Sequence, residues 1–343
     1  MGVKMTAESH TDPLIVAVMK RFRLPWYRAT ALLGAVIISL LILVTFLNGD
    51  TSYFSDPSFW RSFLDGPVMI TYILVVYPFM WRLFKQAVEA FRSISPMDEI
   101  DFNRLVTEIT TPKRHREWAV LFIGAAFALL LIAPWSVNTG SDIWLKVYEM
   151  ILSMLLFGLL GWLIYDTIVG TMRIARLSRQ ELKLDIFDTE LLAPVALWSL
   201  GISLVWVGGI SLSLVFQTWE GMTEWQTITI YAILVSATVL AFFLSMWSTH
   251  KAMAGVKKRE LSLAWKNLAA ASRELKNRTA RNQTEGIQEL SYAITAWSAQ
   301  HKLVQEISAW PFNASIIRRL AVSILAPITV FLIKVIPRIG ISW

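Results

Sequence analysis

TITIYAILVSATVLAFFLSMWSTHKAMAGVKKREL, residues Thr227–Leu261, decides the fold. It opens as an apolar run, Ile228–Met246, long enough to cross a bilayer core, which takes about 20 residues of helix. It then passes through Thr249, His250 and Lys251 into a charged helical pattern with no Pro or Gly at the junction. That pattern turns near Asn277–Gly286, returns through Ile287–Ile307 and meets a second apolar stretch at Trp310-Pro311-Phe312. A polar two-helix segment between two membrane segments is the expectation.

Working outward, the 343 residues are 55% hydrophobic and only 17% charged, less charge than a soluble domain of this size carries. The apolar residues fall in six long runs and one shorter run. The six are Ala31–Leu47, Pro67–Phe84, Trp118–Trp135, Trp144–Thr167, Leu191–Phe216 and Trp225–Met246. The shorter run, Leu320–Ile333, holds Pro327 at its middle and reads as a spanning or re-entrant helix. In lipid, a helix satisfies its own backbone donors and acceptors and an open sheet does not. The predicted fold is therefore an all-α membrane bundle of six to seven transmembrane helices with a cytosolic antiparallel helical hairpin. Four regions follow: an interfacial N-terminal segment, 1–30; a six-helix transmembrane domain, 31–250; the hairpin, 251–312; and a C-terminal membrane helix, 313–343.

Local signals refine this outline. Pro78 predicts a kink in the second span. Ser95-Pro96-Met97-Asp98 predicts a helix start, with Ser95 as the cap. In the hairpin, Leu261, Trp265, Leu268, Ser272 and Leu275 step by four and three. So do Ile287, Leu290, Ile294, Trp297, His301 and Val304, and the two sets predict one apolar seam with coiled-coil spacing.

The charges set the orientation. Of 32 Lys and Arg, 5 lie in residues 1–30, 7 in 82–117, 4 in 173–191 and 12 in 251–319. The loops opposite hold only Arg61 and Lys146, beside Asp50, Asp56, Asp65, Asp142, Glu149, Glu220 and Glu224. Lys and Arg in short loops remain on the cytoplasmic side. The expectation is a multi-pass protein of the cell (inner) membrane with its N-terminus in the cytoplasm. The same count accounts for the net charge of +7 without a nucleic-acid partner. Trp26, Trp60, Trp81, Trp118, Trp144 and Trp247 fall at span ends, as an aromatic belt requires.

Catalytic chemistry has little to stand on. The chain has no Cys, so thiolate catalysis and cysteine metal sites are excluded. His10, His115, His250 and His301 lack metal-ligand neighbours at helical spacing. The acids Asp98, Glu99, Asp101 and Glu108 read as helix caps and partners of nearby cations. Asp166, Lys146 and Glu149 sit at the ends of the fourth span and read as interfacial. Gly158, Gly161, Gly208, Gly209, Ser199 and Ser203 read as close-packing positions. An unwound substrate site at Gly208-Gly209 is the competing reading. No catalytic, cofactor-binding or metal site is predicted, and no enzyme activity.

Two stretches carry a resemblance. Leu184-Asp185-Ile186-Phe187-Asp188 followed by Leu191-Leu192-Ala193-Pro194 is one. The other is His250 through Lys257, Lys258, Arg259, Glu260 and Leu261, closed by Trp310-Pro311-Phe312. Together they resemble uncharacterised polytopic integral membrane proteins of bacteria and archaea. That resemblance implies a membrane bundle with a cytosolic helical element and no particular activity. The functional expectation is a non-enzymatic scaffold or signalling component. Its partners are the lipid bilayer and, through residues 251–312, a protein chain or another copy. The alternative is a channel or transporter for a neutral or apolar solute.

Overall fold

A computed structural model describes residues 12–21, 23–49, 51–131, 143–180, 193–217 and 225–307, together with the single positions 318, 322, 325 and 329. Among these residues the secondary structure is helical, with no strand. In chain order the helices are α1 (Leu14–Arg21), α2 (Trp26–Leu47), α3 (Pro57–Ile94), α4 (Glu99–Thr110) and α5 (Arg114–Leu131). Then come α6 (Ile143–Leu177), α7 (Ala193–Phe216), α8 (Trp225–Ala280) and α9 (Ile287–Glu306).

Four stretches are long and apolar enough to cross a bilayer: α2, Phe59–Ile94 of α3, α6 and α7. Their outward faces are apolar too. On α2, Leu32, Val36, Leu40, Leu43 and Leu47 are exposed at helical spacing, while Thr30, Gly34, Leu41 and Thr45 face inward. An apolar exterior on this scale is compatible with a membrane protein. The third and sixth predicted spans are described only in part as apolar segments. In α5 the first turn carries Arg114, Arg116 and Glu117, and the helix is described only to Leu131. In α8 the qualifying apolar segment is Thr227–Thr238. Of the predicted seventh run only positions 322, 325 and 329 are described, all exposed; the Trp310-Pro311-Phe312 triplet and the Leu184–Asp188 stretch lie outside the described residues.

The bundle closes around α3. Its fully buried residues are Ile70, Ile73, Tyr77, Met80, Phe84, Ala87, Phe91 and Ile94. They step three and four without interruption, a spacing that keeps one helix face against its neighbours over seven turns' worth of register. This face meets α6 and α7, where Trp162 and Trp198 are buried. Tyr77 packs against Trp162 with ring centres 4.5 Å apart, and Phe84 against Trp198 at 5.4 Å, edge to face. α2 flanks α3 and α6, and the first part of α8 closes the other side against α6 and α7.

Helix α3 stays helical through Pro67 and Pro78, the second being where the sequence predicts a kink. The predicted cap at Ser95 is displaced. α3 continues to Ile94, Ser95 Oγ accepts the Met97 N–H at 3.3 Å in a tight turn, and Asp98 is the N-cap of α4. Glu99 and Asp101 supply the acids in the first turn of α4, where they favour the helix dipole.

Helices α5 and α6 approach most closely. A Cβ on Gly124 would collide with the Phe157 carbonyl, and one on Gly158 would sit 3.0 Å from the Leu121 carbonyl. Glycine is what lets these two backbones touch.

Helix α8 is one element of 56 residues. It ends in a Schellman motif: Asn282 adopts φ 55°, Gln283 N–H reaches the Arg278 carbonyl and Asn282 N–H the Thr279 carbonyl. Gly286, at φ 76°, starts α9. α9 then runs back along α8, and the Lys257 ammonium donates to the Gln305 and Ile307 carbonyls at 2.8 and 2.6 Å, capping its far end. On α9 the predicted seam residues are half-buried or buried. On α8 the alternate positions differ from expectation. Ala264 is 1% exposed, Trp265 61% exposed, Ala271 half-buried and Ser272 exposed. The facing row is Leu261, Ala264, Leu268, Ala271 and Leu275. Small residues at alternate positions bring the helices close, and the Trp265 indole lies at the edge, 5.9 Å from the His301 ring.

Candidate functional site

Tyrosines join the bundle helices where the chain has few other polar groups. Tyr72 on α3 donates to the Val205 carbonyl on α7 at 2.7 Å. Tyr148 on α6 donates to Ile37 on α2 at 3.1 Å, and Tyr231 on α8 pairs with Ser213 on α7 at 2.9 Å. A buried phenol needs a partner for its hydroxyl, and each of these finds one on a different helix. The Tyr72 contact also decides the role of Gly208-Gly209. α7 is helical through both residues, and a Cβ on Gly208 would stand 2.5 Å from the Tyr72 hydroxyl oxygen. The pair makes room for the phenol; the backbone there is not unwound.

Asp166 is not interfacial as its position predicts. It is 9% exposed, and Tyr77 donates to its carboxylate at 3.0 Å across α3 and α6. Towards the same end of the bundle, Glu117 is 3% exposed and pairs with Arg114 at 3.3 Å. Arg114 also donates to the Asp12 carbonyl at 2.7 Å, and the Asp12 carboxylate pairs with Lys20 at 2.6 Å. Burial raises the pKa of Glu117; Arg114 opposes that shift and the Asp166 carboxylate adds to it. This knot holds α1 against the start of α5. Its carboxylates are buried while the Lys20 side chain reaches the surface.

The opposite end of the bundle holds a cavity of about 600 Å³ between α3, α6, α7 and α8. Its charged lining is Arg61 and Asp65 from α3 and Glu149 from α6. Ser153, Ser213, Gln217, Thr227 and Tyr231 add neutral polar groups. One to two helical turns further in, the wall becomes Met69, Leu156, Leu160 and Leu234. Of these residues the sequence places Arg61, Asp65 and Glu149 among the charges of the loops opposite the basic side, and reads Glu149 as interfacial. Tyr231 goes unremarked, although a lone Tyr within an apolar run is a signal for an interhelical contact.

The other sequence candidates stay apart. His115 is exposed, His250 lies beside Trp247, His301 meets the Trp265 ring at a tilt, and His10 is outside the described residues. Glu99 pairs with Arg92 at 3.3 Å, Asp98 stands at the N-cap position of α4 without a side-chain hydrogen bond to it, and Asp101 and Glu108 are exposed. Among the described residues no three His, Asp or Glu side chains gather closely enough to hold a metal ion. Comparisons with protein-family models, with curated proteins and with solved structures return no match, so the reading of the site rests on its own geometry.

Proposed function

We propose that the chain is a non-enzymatic integral membrane protein of six to seven spans, working as a scaffold or signalling component through a cytosolic hairpin at residues 251–312. The observation that carries this reading is the continuity of α8. At 1.5 Å per residue its 56 residues reach about 84 Å, against about 30 Å for a bilayer core. A single helix thus joins the packed bundle to the α8–α9 pair, so a load or partner on the pair acts directly on the helix beside the cavity. The pair also exposes Leu263, Trp265, Tyr292 and Leu303, large apolar groups on an otherwise charged surface. The Lys and Arg distribution supports an N-terminus and a hairpin on the cytoplasmic side of the cell membrane.

Site-specific photo-crosslinking from position 265 in native membranes tests the proposal. The expected product is a discrete adduct with a second copy or one partner chain, absent when the crosslinker is placed at position 172 on α6. Equal, diffuse labelling from both positions defeats it. A second reading, a channel or transporter, is favoured by one feature, the 600 Å³ cavity between four helices. Uptake into reconstituted vesicles, blocked by Leu156→Trp within the cavity, is its expected outcome.

A further inference from the structure

We infer that the cavity between α3, α6, α7 and α8 binds an amphiphilic organic cation, an ammonium or phosphonium centre carrying alkyl or aryl groups. The inference deepens the second reading above by naming a ligand class, and it rests on that reading only in treating the cavity as a ligand site.

Three features of the wall converge on this chemistry. The first is charge. Asp65 and Glu149 are carboxylates and Arg61 is the one cation of the lining, so the wall carries a net formal charge of −1. Arg61 is exposed at the mouth, whereas Asp65 is half-buried. The second is the aromatic content: Phe63, Phe157, Phe216 and Tyr231 also line the space. Ring faces attract cations, and a poorly hydrated organic cation gains most from them because it gives up little water. The third is the gradient. Polar groups come from the helix ends, and the wall further into the bundle is Met69, Leu156, Leu160 and Leu234. A ligand with a charged head and an apolar body matches that order. The volume, about 600 Å³, is that of an ordinary small-molecule site.

The competing ligand classes fit less well. An inorganic cation requires an oxygen cage, and the carboxylates here are two, on separate helices, among rings and aliphatic groups. An anionic amphiphile would bring its charge against both carboxylates. A neutral apolar solute would desolvate them with one guanidinium as compensation.

The test uses two ions of the same shape and opposite sign. Full-length protein in phosphatidylcholine nanodiscs is dialysed against labelled tetraphenylphosphonium or tetraphenylborate, with empty nanodiscs as the partition blank. Saturable phosphonium binding is expected, with none of the borate. Asp65→Asn with Glu149→Gln should weaken phosphonium binding by about tenfold or more, and Leu156→Trp should abolish it by filling the space. Glu149→Gln alone, at an exposed position on α6, gives the same readout should the double variant fail to fold, with a smaller loss expected. No saturable phosphonium binding, equal binding of both ions, or unchanged affinity in Glu149→Gln and in the double variant overturns the inference. Vesicle uptake is measured separately. Binding without uptake upholds the inference and removes transport, and uptake of neutral solutes with no phosphonium binding does the reverse.

Discussion

Two rows of residues in this molecule obey the same spacing, and one of them is invisible in the sequence. On α3, Ile70 to Ile94 step three and four through a fully buried face. On α8, Leu261 to Leu275 step three and four against α9. The second row stands out because its neighbours are Lys, Arg, Glu and Asn. The first is hidden because Val75, Phe79 and other outward-facing residues of α3 are as apolar as the inward ones. Hydrophobic periodicity reports which face is buried only when the other face meets water. Where both faces meet apolar surroundings, the inward face is chosen by shape and by hydrogen bonding.

The sharpest way to break this comparison is to remove a large side chain from the contact each row makes. Trp162→Ala, facing Tyr77 on the α3 row, leaves a cavity that the surrounding helices fill only in part. At about 24 cal/mol per Å³ of cavity the cost is about 3 kcal/mol. On the proposed membrane reading that loss is nearly all packing, since the exposed alternative for these side chains is then lipid rather than water. Leu268→Ala on the half-buried α8 row should cost about 1 kcal/mol. Reversible unfolding in mixed micelles, followed by Trp fluorescence for the first and by hydrogen exchange across residues 257–305 for the second, reads both. Equal costs would mean that the two rows are held by the same force.

A smaller effect tests the register on α8. Ala264 is buried and Trp265 exposed, the reverse of the sequence expectation. Ala264→Leu should therefore overpack the α8–α9 contact by about 1–3 kcal/mol. Trp265→Ser, which removes a far larger group, should cost under about 1 kcal/mol, the loss being one edge contact with His301. Hydrogen exchange in α9 distinguishes them: faster in the first variant and little changed in the second. The opposite order would restore the row that runs through Trp265.

What was legible in the chain follows the same division. Four of the apolar runs, the turn after α8 and the burial of the α9 seam positions are readable, because each is a contrast between apolar and polar neighbours. Trp265 reads as a seam residue by its size, but size does not decide burial here: Ala264 is buried and Trp265 exposed. A tight helix pair prefers Ala at the contact, and Ala carries no signal of its own. The cavity and the Asp166–Tyr77 bond were not readable for another reason. Each joins residues far apart in sequence, 89 positions for Asp166 and Tyr77. An acid near a span end looks the same whether it meets headgroups or a phenol from another helix.

The least of the expected effects concerns the place where the two kinds of surrounding meet, at the start of α5. Glu117 is buried there, and its pKa is raised above the ordinary 4.5. A carboxyl with a raised folded-state pKa binds its proton more tightly in the folded state than in the unfolded state. Its contribution to stability is therefore fully present below the unfolded value and is lost as pH rises through the folded value. Thermal stability in detergent should fall over that interval as pH increases, and Glu117→Gln should flatten the fall while keeping a polar group beside Arg114. Were the slope steeper in the variant, the Arg114 pair would outweigh burial. Glu117 would then belong with the water-facing charges of the α8–α9 pair rather than with the enclosed end of the bundle.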